Sequence, residues 1–190
     1  MPPEEGEALY EAGLEAATLG PLLEIGTYCG KSAVYLGAAA KERSTVLYTI
    51  DHHLGSEEMQ SGWEHHDAEL IDLVTGRMNS LPFFQATMEQ AQLQDVVQAL
   101  VGDSVDIAQN WITPVGLVFI DGAHSEDPAM DDYESWVPKL MDGGLLAIHD
   151  VFPDPKNGGQ GPFKVYERSL AGGFVDEHEE GSLRIVKKMF

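Results

Sequence analysis

The sequence predicts an α/β protein organised as a doubly wound sheet, and three observations predict it. Short apolar runs alternate with helix-compatible stretches along most of the chain. The first run, PLLEIG (21–26), passes through a glycine turn into a helix and then into a second run, STVLYTID (44–51), the order of a βαβ unit. Acidic residues end four of the predicted strands: Asp51, Asp103, Asp121 and Asp150. Ligands of such sheets bind at the carboxyl ends of the strands, beside the point where the strand order reverses. These positions therefore mark one edge of the sheet as functional.

The elements follow in chain order. Residues 4–18 read as a helix, within a lead-in of residues 1–19. PLLEIG is a short apolar run ended by glycine and reads as a buried strand. Lys31 to Lys41 reads as a helix whose small residues Ala33, Gly37 and Ala38 allow close packing on a sheet. After the second strand the pattern fails. Residues 52–75, HHLGSEEMQSGWEHHDAELIDLVT, are polar with aromatic and histidine interruptions, and a long irregular stretch in a compact domain is usually a lid or binding loop. Trp63, His65 and His66 within it suit stacking on a sugar, and equally suit an exposed loop or a dimer contact.

A helix is expected from Ser80 to Gln92, a strand at VVQALVGD (96–103) and a short helix from Ser104 to Asn110. VGLVFIDG (115–122) is strongly apolar and reads as a central strand. A helix from Glu126 to Leu140 follows, then a strand at GLLAIHDV (144–151). On that helix Trp136 and Leu140 are four apart and read as core, whereas Glu126, Asp127, Asp131, Asp132 and Glu134 read as a solvated face. The tail gives a Gly/Pro-rich loop (153–162), a helix (163–171) and two weaker strands near 173–177 and 182–187. Gly158-Gly159-Gln160-Gly161 in that loop either borders a pocket or simply turns the chain.

Composition bounds the function. Acidic residues number 32 against 11 basic ones, a formal net charge of -21. Such a chain repels phosphate backbones, so no nucleic-acid partner is expected. Cys29 is the single cysteine, which excludes an intrachain disulfide and suits a reducing cytoplasm. The N-terminus is acidic without an apolar run, unlike a signal peptide. No stretch approaches the roughly 18 apolar residues needed to span a bilayer, so a cytoplasmic protein without a membrane partner is expected. The length of 190 residues suits one domain spanning 1–190.

Gly26-Thr27-Tyr28-Cys29-Gly30-Lys31-Ser32 joins the first strand to its helix. Glycines permit a tight turn and close backbone approach to a ligand, and the helix N-terminus favours an anionic group. GTYCGKS is one residue short of the phosphate loop G-x-x-x-x-G-K-S, so a nucleotide hydrolase is one alternative. A non-catalytic nucleotide- or donor-binding module is another, and a ligand-free glycine turn is the bland one. Asp51 at the next strand end favours a ribose, since its carboxylate can accept from both sugar hydroxyls.

LLEIGTYCGKSAVYL and VLYTID resemble the first two motifs of class I S-adenosylmethionine-dependent methyltransferases. LVFIDGAHSEDPAMDDYESWVPKLMDGGLLAIHD resembles a segment of metal-dependent small-molecule O-methyltransferases of the macrolide-sugar and mycobacterial mannoside 1-O-methyltransferase type. The resemblance, over residues 20–170, implies a Rossmann-like sheet of seven strands, mostly parallel with the last strand antiparallel. It implies donor contacts from Glu24, Gly26, Thr27, Tyr28, Gly30 and Ser32, a ribose on Asp51 with His52 alongside, and adenine near Gly102-Asp103-Ser104. Asp103 also suits a helix N-cap. The acceptor implied is a small hydroxylated molecule, a saccharide before a phenol, and relatives suggest a homo-oligomer.

Asp121-Gly122-Ala123-His124 and His149-Asp150 fall at the ends of strands that this fold makes neighbours. Two carboxylates with open positions suit Mg²⁺ or Mn²⁺. A closed zinc site is disfavoured without a thiolate pair. The resemblance implies Asp121 and Asp150 as ligands, with Asp121 also bordering the donor. It leaves His149 at a position where relatives often carry a carboxylate. A sugar hydroxyl is a very weak acid, so a base is needed beside the cation. His124 and His149 both qualify. His124, three residues beyond Asp121, is the expected base, and His149 the expected ligand or neighbour of a ligand. His124 as a helix cap is the structural alternative.

Overall fold

A strand covered on both faces must be apolar at every position, and VGLVFI meets that demand: all of Val115–Ile120 is buried. Alternate side chains of this strand point to opposite faces. Leu117 and Phe119 join one core cluster and Val118 and Ile120 the other. The computed structural model describes residues 1–55, 68–73 and 75–189. Trp63, His65, His66 and most of the expected lid lie outside the described residues.

The chain runs α1 (Pro3–Ala16), β1 (Leu22–Ile25), α2 (Lys31–Glu42), β2 (Leu47–Asp51), α3 (Leu81–Gln90), β3 (Val97–Val101) and α4 (Ser104–Gln109). It continues as β4 (Val115–Ile120), α5 (Glu126–Trp136), β5 (Leu140–Ile148), α6 (Gly161–Ala171), β6 (Phe174–Glu180) and β7 (Leu183–Lys188). The strands form one 7-stranded sheet in the order β3-β2-β1-β4-β5-β7-β6. Strand β7 pairs antiparallel with both neighbours, and the other pairings are parallel. This is the doubly wound, seven-stranded sheet expected, with its last strand reversed. Helices cover both faces. Leu9, Leu36 and Phe84 from α1, α2 and α3 pack on one, and Ala108, Trp136 and Val165 from α4, α5 and α6 on the other. Among the described residues no helix is long and apolar enough to cross a membrane.

Two expectations are corrected. The helix from Glu126 stops at Trp136, and Pro138 sits in a 3-10 turn, Val137–Lys139. Proline lacks the N–H that helix continuation needs. Leu140 is therefore core, as expected, but as the first residue of β5 rather than as a helical partner of Trp136. Strand β5 begins four residues before the expected position 144 because it carries a register shift opposite Val115/Leu117, with Gly143 at φ +76°. The second correction is Asp132. It is buried, not on a solvated face. Ala129, Asp132, Tyr133 and Trp136 form the inward i, i+3, i+4, i+7 stripe of α5.

Candidate active site

Strand order reverses between β1 and β4, and the candidate site opens at their carboxyl ends. After Ile25 the chain turns through Gly26 (φ +84°) to Gly30 (φ +90°). A Cβ on Gly26 would stand 2.4 Å from Gly122 Cα, so the turn after β1 touches the turn after β4 and only glycine fits. Glu24 is fully buried beneath this turn. It accepts from Thr27 Oγ1 at 2.7 Å and from the Ser32 hydroxyl. Burial pushes its carboxyl up to about 8, against the lowering effect of those two hydroxyls.

Asp51 ends β2 and holds the same turn from the other side. Its Oδ2 accepts from the Thr27 and Tyr28 amides at 3.1 and 2.8 Å, and its Oδ1 from the His53 amide at 2.7 Å. A carboxylate offers about four acceptor sites, so one is left for a ligand hydroxyl without rearrangement. The loop amides that would grip a phosphate already face a carboxylate, which removes the support for a phosphate loop. His53 was not singled out by sequence. It is buried at φ +59°, and its Nδ1 lies 2.8 Å from Ser80 Oγ. Burial holds its imidazole below the usual pKa.

Asp103 caps α4, accepting from the Asp106 amide at 3.1 Å. Ser104 donates to Asp132, whose burial pushes its carboxyl up to about 6. Gly102, Asp103, Ser104 and Asp132 thus form one end of the crevice.

The second group comes from β4 and β5. Ile120 pairs with Ile148 in their parallel register, so Asp121 and His149 leave the sheet side by side. His149 Nδ1 lies 3.0 Å from Asp121 Oδ1 and 3.3 Å from Asp150 Oδ1. Asp150 sits at φ +55°, a left-handed conformation that Asp tolerates better than most residues. Among the described residues Asp121, His149 and Asp150 are grouped so that one ligand atom of each lies within 4.8 Å of the others. His124 Nε2 lies 3.1 Å from Asp150 Oδ2. Its backbone is packed by the tail loop: the Gly161 amide donates to the His124 carbonyl at 3.0 Å, and a Cβ on Gly159 would meet that oxygen at 2.5 Å. Gly159 and Gly161 therefore support the turn that carries His124.

Sequence missed Glu5. It occupies the inward stripe of α1 with Leu9, Ala12 and Ala16, a spacing at which a carboxylate is out of place and could have been noticed. Its Oε2 lies 2.9 Å from His149 Nε2, and its Oε1 accepts from the Ser182 amide at 2.6 Å. Burial opposes charge on His149, but Asp121 and Asp150 outweigh it and push its pKa up to about 10. Burial raises the Asp121 carboxyl. It also works against ionised Glu5 and Asp150, yet hydrogen bonds to the histidines and charge attraction hold both carboxyls below their usual range.

Both groups open on one crevice of about 1000 Å³. Gly26, Thr27, Tyr28, Ser32, Asp51, His52, Gly102, Asp103, Ser104, Asp121, His124, His149 and Asp150 all line it. Glu24 and Gly30 are not among its lining residues; Glu24 bonds to Thr27 and Ser32, and Gly30 caps α2.

A crevice at the switch point, beside a glycine turn, is where doubly wound α/β folds take small ligands. Residues 23–151 match the family model described as a methyltransferase domain, and the chain belongs to that family. Solved structures share the fold. The O-methyltransferase NovP aligns with a TM-score of 0.74 at 14% identity, covering 98% of this chain and 80% of its own. An O-methyltransferase from Bacillus cereus in complex with SAH aligns at 0.65 and 19% identity, covering 99% and 82%. CalS11, a TDP-rhamnose 3'-O-methyltransferase of calicheamicin biosynthesis, aligns at 0.60 and 15% identity, covering 96% and 76%.

The buried Glu24 makes the fold sensitive to pH. Its carboxyl is raised from 4.5 to about 8, so the folded state keeps a proton that the unfolded chain releases first. That contribution is full below the unfolded value and is lost as pH rises from 4.5 to about 8. Glu24→Gln is expected to flatten the fall of Tm across this window relative to the parent protein. Parallel Tm–pH curves would show that Glu24 is ionised in the fold.

Proposed function

We propose that this chain is an S-adenosylmethionine-dependent O-methyltransferase, aided by a divalent cation, that methylates a hydroxyl of a small molecule, a sugar. One observation carries the reading: the Asp121, His149 and Asp150 cluster, with His124 against it, shares a crevice with the braced glycine turn of a methyltransferase-family fold. Gly26, Thr27, Tyr28 and Ser32 line the donor's methionine end, with Glu24 holding that turn from below. Asp51 meets the ribose, with His52 beside it, and Gly102-Asp103-Ser104 meets the adenine.

The donor set fits a divalent ion. It joins two carboxylates and an imidazole, with one ligand atom of each within 4.8 Å of the others. Asp121, His149 and Asp150 would hold the ion, Mg²⁺ or Mn²⁺, which supplies positive charge that favours a negative acceptor oxygen. His124 takes the proton. Its Nε2–H donates to Asp150 Oδ2, which places the basic lone pair on Nδ1. As the acceptor oxygen bonds to the donor's methyl carbon, the carbon–sulfur bond breaks, the hydroxyl proton passes to His124, and S-adenosylhomocysteine leaves.

A sugar acceptor draws support from CalS11, a TDP-rhamnose 3'-O-methyltransferase. The acidic lining, with Asp103, Asp131 and Asp132, favours an uncharged saccharide over a phosphorylated one. The donor assignment is tested by calorimetry. S-adenosylhomocysteine should bind and ATP should not. Asp51→Ala should weaken that binding, a charge-assisted hydrogen bond contributing about 1.5–3 kcal/mol. Equal affinity in the variant would remove Asp51 from the donor site.

A further inference from the structure

The two ring nitrogens of His149 face opposite environments. Nδ1 points at Asp121 and Asp150, and Nε2 points away from the crevice at Glu5. Glu5 is itself fixed, accepting through Oε1 from both the amide and the hydroxyl of Ser182 at 2.6 and 2.9 Å. The fit is closed around it: a Cβ on Gly181 would stand 2.4 Å from Glu5 Oε1. A carboxylate so held can do one thing to an imidazole, which is to accept its Nε2–H. Nδ1 is then the nitrogen left facing the two aspartates, where a bound cation would displace the proton that they favour. Carboxylate–histidine–metal arrangements have this form, and the outer carboxylate fixes both tautomer and ring orientation.

We infer that Glu5 is the positioning residue that turns His149 Nδ1 into a nitrogen ligand, and that the site therefore selects a first-row transition-metal ion over Mg²⁺. The inference rests on the cation reading above. Two carboxylates and an imidazole are a mixed oxygen–nitrogen set. Mg²⁺ favours all-oxygen surroundings and keeps its waters, whereas imidazole suits the transition ions. α1 is thus part of the ligand apparatus, contributed from the far end of the chain: Glu5 and His149 are 144 residues apart in sequence.

The experiment uses the full chain and measures ion binding, not activity. Calorimetry with Mg²⁺, Mn²⁺ and Co²⁺ is run on the parent protein, Glu5→Gln, His149→Glu and Asp121→Asn, each checked for folding by thermal unfolding. The visible spectrum of the Co²⁺ form reports nitrogen ligation. The expected result is tighter binding of Co²⁺ and Mn²⁺ than Mg²⁺ in the parent. In Glu5→Gln, Co²⁺ affinity should fall about 10–100-fold, as for other outer-shell changes, with Mg²⁺ affinity changed far less and the Co²⁺ spectrum altered. A general loss of structure would weaken all three ions together. His149→Glu should shift preference back towards Mg²⁺, which tests the nitrogen ligand even if Glu5→Gln fails to fold. Mg²⁺ bound as tightly as Co²⁺ by the parent, and lost in Asp121→Asn, would overturn the inference and leave the cation reading standing. No binding of any ion by the folded parent would overturn both, with His149 itself serving as the local cation.

Discussion

His124→Ala is expected to lower turnover by about 10²–10⁴-fold, the usual contribution of a general base, while leaving S-adenosylhomocysteine affinity unchanged. A sugar hydroxyl holds its proton tightly, so removal of that proton must accompany attack on the donor's methyl carbon. His124 stands at the crevice with Nε2 committed to Asp150, the same logic by which an aspartate sets the tautomer of a catalytic histidine. The turn that carries it is packed by Gly159 and Gly161, so truncation at Cβ should not move the donor turn on the other side of the crevice. Single-turnover kinetics separates the outcomes. A slow chemical step with normal donor binding is expected. Near-parent turnover in His124→Ala, together with loss in His149→Ala, would exchange the two roles.

Asp121→Asn and Asp150→Asn are each expected to lower activity by more than ~10²-fold, because several kcal/mol of charge stabilisation leaves with the ion. Both side chains face His149 Nδ1, so either change removes a charged ligand while keeping shape. Asp150 also holds His124 through its second oxygen, and its variant should lose orientation of the base as well as the ion. Exhaustive chelation of the parent protein should match Asp121→Asn in rate and leave Tm almost unchanged, since the large core lies behind the cluster. Full activity after chelation, with Asp121→Asn still inactive, would assign Asp121 to the donor rather than to a cation.

The strands were legible because β1, β2, β4 and β5 are short apolar runs ended by glycine or aspartate, and their alternation with helices implied a doubly wound sheet. The reversal of the last strand, β7, came from family likeness, since its buried apolar run marks a strand without giving its direction. Asp121, His149 and Asp150 were legible as strand-end residues, and the pairing of Ile120 with Ile148 explains why they converge. What sequence hid was long-range. Asp132 looked like one acid among several on α5, and only the fold shows it buried and bonded to Ser104 of α4. Glu5 meets His149 from 144 residues away in sequence. His53 joins Ser80 across the segment expected to be a lid. Local pattern reports which face a residue occupies, and it does not report which distant polar group waits there.

Methyl transfer itself is the direct measure of the central claim. The purified protein is incubated with isotopically methyl-labelled S-adenosylmethionine and a panel of uncharged saccharides, nucleotide sugars and catechols, with Mg²⁺, Mn²⁺, Co²⁺ or chelator, and products are followed by mass spectrometry. The predicted result is a labelled methyl ether on a hydroxyl of a saccharide, formed with an equal amount of S-adenosylhomocysteine and abolished by chelator. A labelled methyl group on nitrogen or carbon, or transfer undiminished by chelator, would contradict the account.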